Sequence, residues 1–153
     1  SWSISDDFHQ VEINNKAWYI SKSKSTWQDA QISCHAEGLI TAIPQNEQEN
    51  RELSVVVDFV VDIANDENLG SFWTGIFIKD GNPKDLQTWD EFTHLSSKTF
   101  TNWGTGEPNV KNKNEFCISI FSRNKTWHTA KCDKPKHYVC QKRSKKNQVL
   151  IRF

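Results

Sequence analysis

The sequence predicts an α+β fold, and three observations carry that reading. The first half reads as one strand followed by two helices. The last third, from residue 115 onward, breaks into short β-branched and aromatic runs bounded by turn residues. Between them, residues 79 to 114 hold Gly, Pro, Asn and Lys with no sustained period. An aperiodic stretch of that length inside a compact domain is uncommon and usually functional.

The elements follow in order. "KAWYIS" (16 to 21) alternates well enough to be a first strand. Ser25 or Thr26 then caps a helix, "STWQDAQISCHAEG", with Trp27, Ala30, Ile32 and Cys34 as its expected buried positions and Gly38 at its end. Asn46 followed by Glu49 makes a start resembling a capping box. The valines of the next segment, "RELSVVVDFVVDIAND", favour a strand, but its period favours a helix. Leu53, Val56, Val57, Val60 and Ala64 form one stripe, with Asp58 and Asp62 on another face. "FWTGIFI" (72 to 78) reads as a fully buried strand. "EFCISIF", "KTWHTAKC" and "HYVCQK" read as three more, the first two joined by a turn at Ser122 to Asn124. Trp127, Trp73 and Trp103 read as structural, and Trp89 as the loop tryptophan best placed for another role.

The whole chain bounds what this fold does. At 153 residues it is one domain with room for a real core, divided as a lead-in (1–15), a domain (16–142) and a basic tail (143–153). Hydrophobic content is 36%, but seven tryptophans and nine phenylalanines supply large apolar area. Nineteen basic and nineteen acidic residues cancel, so no global charge draws nucleic acid or an anionic membrane. The local exception is Lys142, Arg143, Lys145 and Lys146, a solvated tail or a weak contact for an anionic surface or glycosaminoglycan. No apolar run has the length of a membrane span. Cys34, Cys117, Cys132 and Cys140 lack zinc-ligand spacing; their even number favours two disulfides and a secreted or extracellular setting, with three pairings open. The sequon Asn124-Lys125-Thr126 agrees with that setting. No Ser–His–Asp motif or Gly-rich phosphate loop appears, so an enzyme is not expected.

In order and spacing, "WYIS", "WQDAQISC", "WTGI", "NWGTGEPN", "EFC", Trp127 and the "C…YVC" ending closely resemble the C-type lectin-like domain, over roughly residues 16 to 142. The resemblance implies a double-loop fold with two helices, small antiparallel sheets and a long ligand-carrying loop. It also implies the short, two-disulfide form, with Cys34 joined to Cys140 and Cys117 to Cys132.

It further implies a site. In sugar-binding members of the family, Glu-Pro-Asn supplies two calcium ligands across a cis peptide, which here are Glu107 and Asn109. Glu115, two residues before Cys117, takes the place of a third. The family's Trp-Asn-Asp run gives the remaining ligands, and here it reads Trp127-His128-Thr129. A carboxylate and an amide are thereby lost, with Thr129 the remaining metal ligand on that strand. Calcium takes 6–8 oxygens, so one weak site is expected, with Kd on the order of 10⁻⁴–10⁻³ M. Val110 and Phe116 replace the acids of a neighbouring calcium position, leaving Asp80 and Asp85 as possible contributors. Glu-Pro-Asn goes with mannose-type sugars, whose vicinal hydroxyls meet alternating carboxylates and amides. Glu107, Asn109 and Glu115 supply most of that pattern, and a neutral His128 N–H stands in for the missing amide. Two functions are therefore expected: a weakly calcium-dependent module for mannose-type glycans, or a calcium-independent domain binding a protein or other non-sugar ligand.

Overall fold

The computed structural model describes residues 4–64, 70–89, 100–111 and 116–143. Its sheet runs in the order β1-β2-β8-β4-β6-β7, with a short β3 added to β8 and a short β5 to β4. The strands are β1 (Phe8–Ile13), β2 (Lys16–Ser21), β3 (Ile40–Thr41), β4 (Ser71–Ile78), β5 (Leu86–Thr88), β6 (Cys117–Phe121), β7 (Trp127–Ala130) and β8 (His137–Gln141). Helices α1 (Trp27–Ala36) and α2 (Glu47–Ala64) lie between β2 and β4 in the chain. All pairings are antiparallel except β4 with β8. With two helices and this sheet, the architecture is the α+β C-type lectin-like fold.

Strand β1 lies within the segment expected to be a lead-in. It pairs with β2 along its whole length, from Phe8 opposite Ser21 to Ile13 opposite Lys16. The hairpin closes on Asn14 and Asn15, both at positive φ. A two-residue loop needs that conformation to match the strand twist, and asparagine tolerates it.

Helix α1 starts at Thr26, whose hydroxyl accepts the Asp29 N–H at 3.2 Å. It ends where Gly38, at φ 74°, lets Leu39 and Gly38 donate to the carbonyls of Cys34 and His35. Its buried residues are Trp27, Ala30, Gln31 and Cys34. The expectation for Ile32 is corrected: it is 47% exposed. At about 100° per residue, positions 27, 30, 31 and 34 share a face and 32 points away from it. Gln31 takes the interior place, its amide donating to the carbonyls of Trp27 and Thr74.

Helix α2 buries Leu53, Val56, Val57 and Val60 and exposes Asp58 and Asp62. The side chain of Ala64 lies outside the described residues. Asn46 accepts the Glu49 N–H at 2.8 Å, while the Glu49 carboxylate reaches past it to the Gln45 N–H at 2.7 Å. This is a capping box displaced by one residue.

Two apolar clusters result from strand alternation. Trp18 and Ile20 face one, with Leu53, Val56, Phe72, Ile76, Ile118 and Trp127. Tyr19 faces the other, with Trp27, Trp73, Tyr138 and the bridged Cys34, Cys117 and Cys140. The disulfides join Cys34 to Cys140 and Cys117 to Cys132, spanning 106 and 15 residues, and no cysteine is free. Chain-entropy estimates for loops of such lengths are about 4.7 and 3 kcal/mol. The longer bridge fixes α1 to β8 at the centre of the sheet, and the shorter one holds β6 against the segment after β7.

Candidate ligand-binding site

Strand β7 organises the site. Its register on β6 sets Ile120 opposite Trp127, Ser119 opposite His128 and Ile118 opposite Thr129. Trp127 is fully buried, and its indole N–H donates to the Asn50 side chain on α2 at 3.0 Å. Phe100 and Trp103 meet its ring edge-on, with centroids 5.9 and 5.7 Å away. Backbone bonds complete the attachment: Trp127 N–H donates to the Asn102 carbonyl and Gly104 N–H to the Trp127 carbonyl. Residues 100–111 of the long loop are thereby fastened to β7, with Glu107 and Asn109 beside His128 and Thr129. Trp73 and Trp103 are structural in the same sense as Trp127. Trp89 is 44% exposed and touches the edge of Trp27, 6.3 Å between centroids.

The Glu107–Pro108 peptide is cis. One oxygen of Glu107, Oε1, accepts from three groups: Thr129 Oγ1 at 2.8 Å, Thr129 N at 2.9 Å and Asn109 N at 3.1 Å. The Thr129 hydroxyl also lies 3.1 Å from the Asn109 carbonyl. The Asn109 side-chain oxygen accepts the Lys111 N–H at 3.2 Å. The second oxygen of Glu107 faces His128 Nδ1 at 3.6 Å, an electrostatic contact too long for a hydrogen bond.

His128 is itself held on every side. Its ring stacks on Phe121, with centroids 3.5 Å apart and planes within 8°. Nε2 lies 2.8 Å from Thr126 Oγ1, whose proton goes to Asn124 Oδ1 at 2.6 Å. Gly104 leaves room for the ring: a Cβ there would come within 2.6 Å of Cε1 and Nε2. Burial lowers the imidazole pKa from its ordinary value, and the opposing pull of Glu107 only partly offsets this. His128 is thus held through Nε2 and one ring face, with Nδ1 turned toward Glu107.

These contacts decide how well the residues fit a calcium ion, which takes about 6–8 oxygen ligands. Among the described residues no cluster of three or more His, Cys, Asp or Glu side chains gathers. Glu107 Oε1 already accepts three protein donors, and the neighbouring base is an imidazole, a poor partner for a hard cation. Glu115, expected as a third ligand, lies outside the described residues. Asp80, at φ 53°, and Asp85, which accepts from Gln87 Nε2 at 2.9 Å, sit in the tight turn beside β5. Among the described residues, Glu107 and Asn109 offer fewer side-chain oxygens than the 6–8 a calcium ion takes.

The family model for the lectin C-type domain matches residues 23–142. The chain belongs to the C-type lectin domain family. Relatives of this C-type lectin domain include the bovine secretory phospholipase A2 receptor, 28% identical over 130 residues, covering 84% of this chain and 8% of that protein. Mouse lymphocyte antigen 75 is 28% identical over 148 residues, covering 93% and 8%. A C-type lectin of Micrurus corallinus is 25% identical over 132 residues, covering 84% and 77%. The chain thus spans only a small part of the receptor-length relatives. In fold it matches the mouse scavenger receptor C-type lectin carbohydrate-recognition domain (TM-score 0.67, 16% identity, 88% and 97% covered) and human lithostathine (0.70, 17%, 93% and 92%). The family and these neighbours are binding modules, not enzymes.

Three supporting residues were not anticipated from sequence: Phe121, Thr126 and Gly104. The hairpin register carries the signal for Phe121. Two positions after Ser119 on β6, it is the diagonal neighbour of His128 across the strand pair.

Proposed function

We propose that this C-type lectin domain is an extracellular module that binds its ligand without calcium, through side chains alone. The observation that carries the reading is the threefold acceptance at Glu107 Oε1. Where a metal would draw Glu107 and Asn109 together, the Thr129 hydroxyl and two backbone N–H groups do so. His128, stacked on Phe121 and joined to Thr126 through Nε2, is committed within the protein rather than offered as the amide that a mannose-type sugar needs. The phospholipase A2 receptor relatives are named for a protein ligand, which suits recognition without a bridging cation.

The two disulfides and the sequon at Asn124 support a secreted or cell-surface setting. Among the described residues no helix is long and apolar enough to cross a membrane.

One observation favours the alternative, a weakly calcium-dependent module for mannose-type glycans. Glu107 and Asn109 keep the Glu-Pro-Asn order that the family's sugar-binding loop carries.

Thermal melting in calcium and in chelator tests the proposal. A specific ligand stabilises by RT ln(1 + [L]/Kd), about 2.7 kcal/mol at a hundredfold excess over Kd. The expected result is an unchanged melting temperature in several millimolar calcium, and no retention on mannan. A calcium-dependent rise, with chelator-eluted retention on mannan, overturns it.

A further inference from the structure

A second concavity, of about 690 Å³, opens between the β6–β7 hairpin and the segment following β7. It includes no residue of the prolyl loop and meets the site around His128 at Thr129, Phe121 and Asn124. Arg123, Lys131, Lys134 and Lys136 line it, and no carboxylate does. No ion pair among the described residues involves any of the four. Lys125, on the same hairpin, shows the contrast: its ammonium pairs with Asp58 at 2.7 Å.

Lys136 is the informative member. Its ammonium hydrogen-bonds Ser71 Oγ and lies 5.2 Å above the Trp73 ring. Burial lowers its pKa from the ordinary lysine value, and the neighbouring charges, Lys134 and Lys24, push the same way because both are positive. A partly buried ammonium surrounded by cations has lost water and gained no counter-charge. An arriving anion supplies that charge where desolvation strengthens the attraction.

The remaining lining narrows the ligand class. Ser71 and Ser122 place hydroxyls at the cavity wall. Phe121 forms part of its wall; it is 37% exposed, with one ring face covered by His128. Hydroxyls beside an aromatic surface suit a pyranose ring, and lysine ammoniums suit a tetrahedral oxyanion. The volume falls in the range of small-ligand pockets, about 300–1,000 Å³, rather than that of a flat protein interface.

We infer that this concavity binds a sulfated saccharide, its sulfate on Lys131, Lys134 and Lys136 and its ring against Phe121. The site needs no metal, and it stands whether or not calcium enters the prolyl loop.

The test is calorimetric titration of unglycosylated, refolded protein with a trisulfated heparin-derived disaccharide, in chelator and again in calcium. The expected result is binding in both buffers, weakened by added salt and absent for the desulfated disaccharide. Lys131→Ala with Lys134→Ala removes two exposed ammoniums and no backbone bond. It should weaken binding by roughly tenfold or more, since a charge-assisted contact is lost at each position. Lys136→Met, which keeps the apolar stem, should do the same, and Lys145→Ala with Lys146→Ala should leave affinity unchanged.

The assignment is overturned by no binding, by equal binding of the desulfated sugar, or by loss of binding in the tail variant alone. Displacement by inorganic sulfate at the same concentration would mean a bare oxyanion site. Displacement by an acidic peptide would mean a protein partner. Sulfate-dependent binding that requires calcium would overturn the assignment as well. A calcium-raised melting temperature with sulfate-dependent binding unchanged in chelator would leave this inference standing and sink the metal-free reading above.

Discussion

Thr129 and Glu107, 22 residues apart in sequence, are joined twice: the hydroxyl and the backbone N–H of Thr129 both reach Oε1 of Glu107, at 2.8 and 2.9 Å. The pairing closes residues 100–111 of the loop onto β7 with protein atoms only. The backbone donor is set by strand geometry, and any residue but proline would supply it. The hydroxyl is specific to this side chain and is the part that mutation can remove.

Thr129→Val keeps the β-branched shape favoured in a strand and deletes the hydroxyl. Glu107 retains two N–H donors, so the expected loss is about 1–2 kcal/mol rather than that of an orphaned carboxylate. Chemical denaturation checks this through a lowered midpoint at unchanged slope. A midpoint equal to wild type would show that the hydroxyl does not hold the loop.

Gly104→Ala probes the packing behind His128. The added methyl would meet the imidazole at 2.6 Å and Thr126 Oγ1 at 3.0 Å. Phe121 stacks on the same ring, so any shift of the imidazole disturbs that contact. Overpacking of this kind costs about 1–3 kcal/mol. Pairing the change with His128→Ala should recover most of the loss, which a double-mutant cycle measures directly.

Much of this arrangement was legible in the sequence, and the parts that were not share a cause. The helical stripe of α2, the buried β4 and the burial of Trp127 follow from period and side-chain size, which one sequence displays. Strand β1 was missed because its apolar residues are half-covered and its turn, Asn14-Asn15, lacks the usual glycine. Ile32 reads as interior because its apolar character outweighs its angular position, and Gln31 does not, because only its partners across the fold, such as the Thr74 carbonyl, make its burial tolerable. The basic concavity was invisible for a similar reason. Arg123, Lys131, Lys134 and Lys136 look like ordinary surface charges until the fold sets them around one hollow with no carboxylate among them.

Acid should weaken the fold. Burial lowers the pKa of His128, and of His137, which donates to the Ser21 carbonyl and feels Lys24. Below about pH 6.5 an unfolded histidine takes up a proton that these two resist. The unfolded state then binds more protons, so stability is present above that pH and is lost as pH falls through it. Melting temperature should therefore decline between pH 7.5 and 5. The His128→Gln, His137→Gln variant should show a shallower decline from a lower starting point. An equal slope in the variant would assign the acid sensitivity elsewhere.

The most demanding prediction restores what β7 lacks. His128→Asn with Thr129→Asp returns an amide and a carboxylate beside Glu107 and Asn109. The aspartate side chain cannot donate to Glu107, so two carboxylates meet with one hydroxyl proton fewer between them, and like charges at that range repel. Without calcium the double variant should melt below wild type. With several millimolar calcium it should recover and surpass its own chelated form, because a divalent ion neutralises both carboxylates and draws oxygens from each. Wild type, held by the threonine hydroxyl, should show neither the deficit nor the recovery. Equal calcium responses in the two proteins would mean that Thr129 does not take the place of a metal, and the reading of this loop as self-fastened would fail.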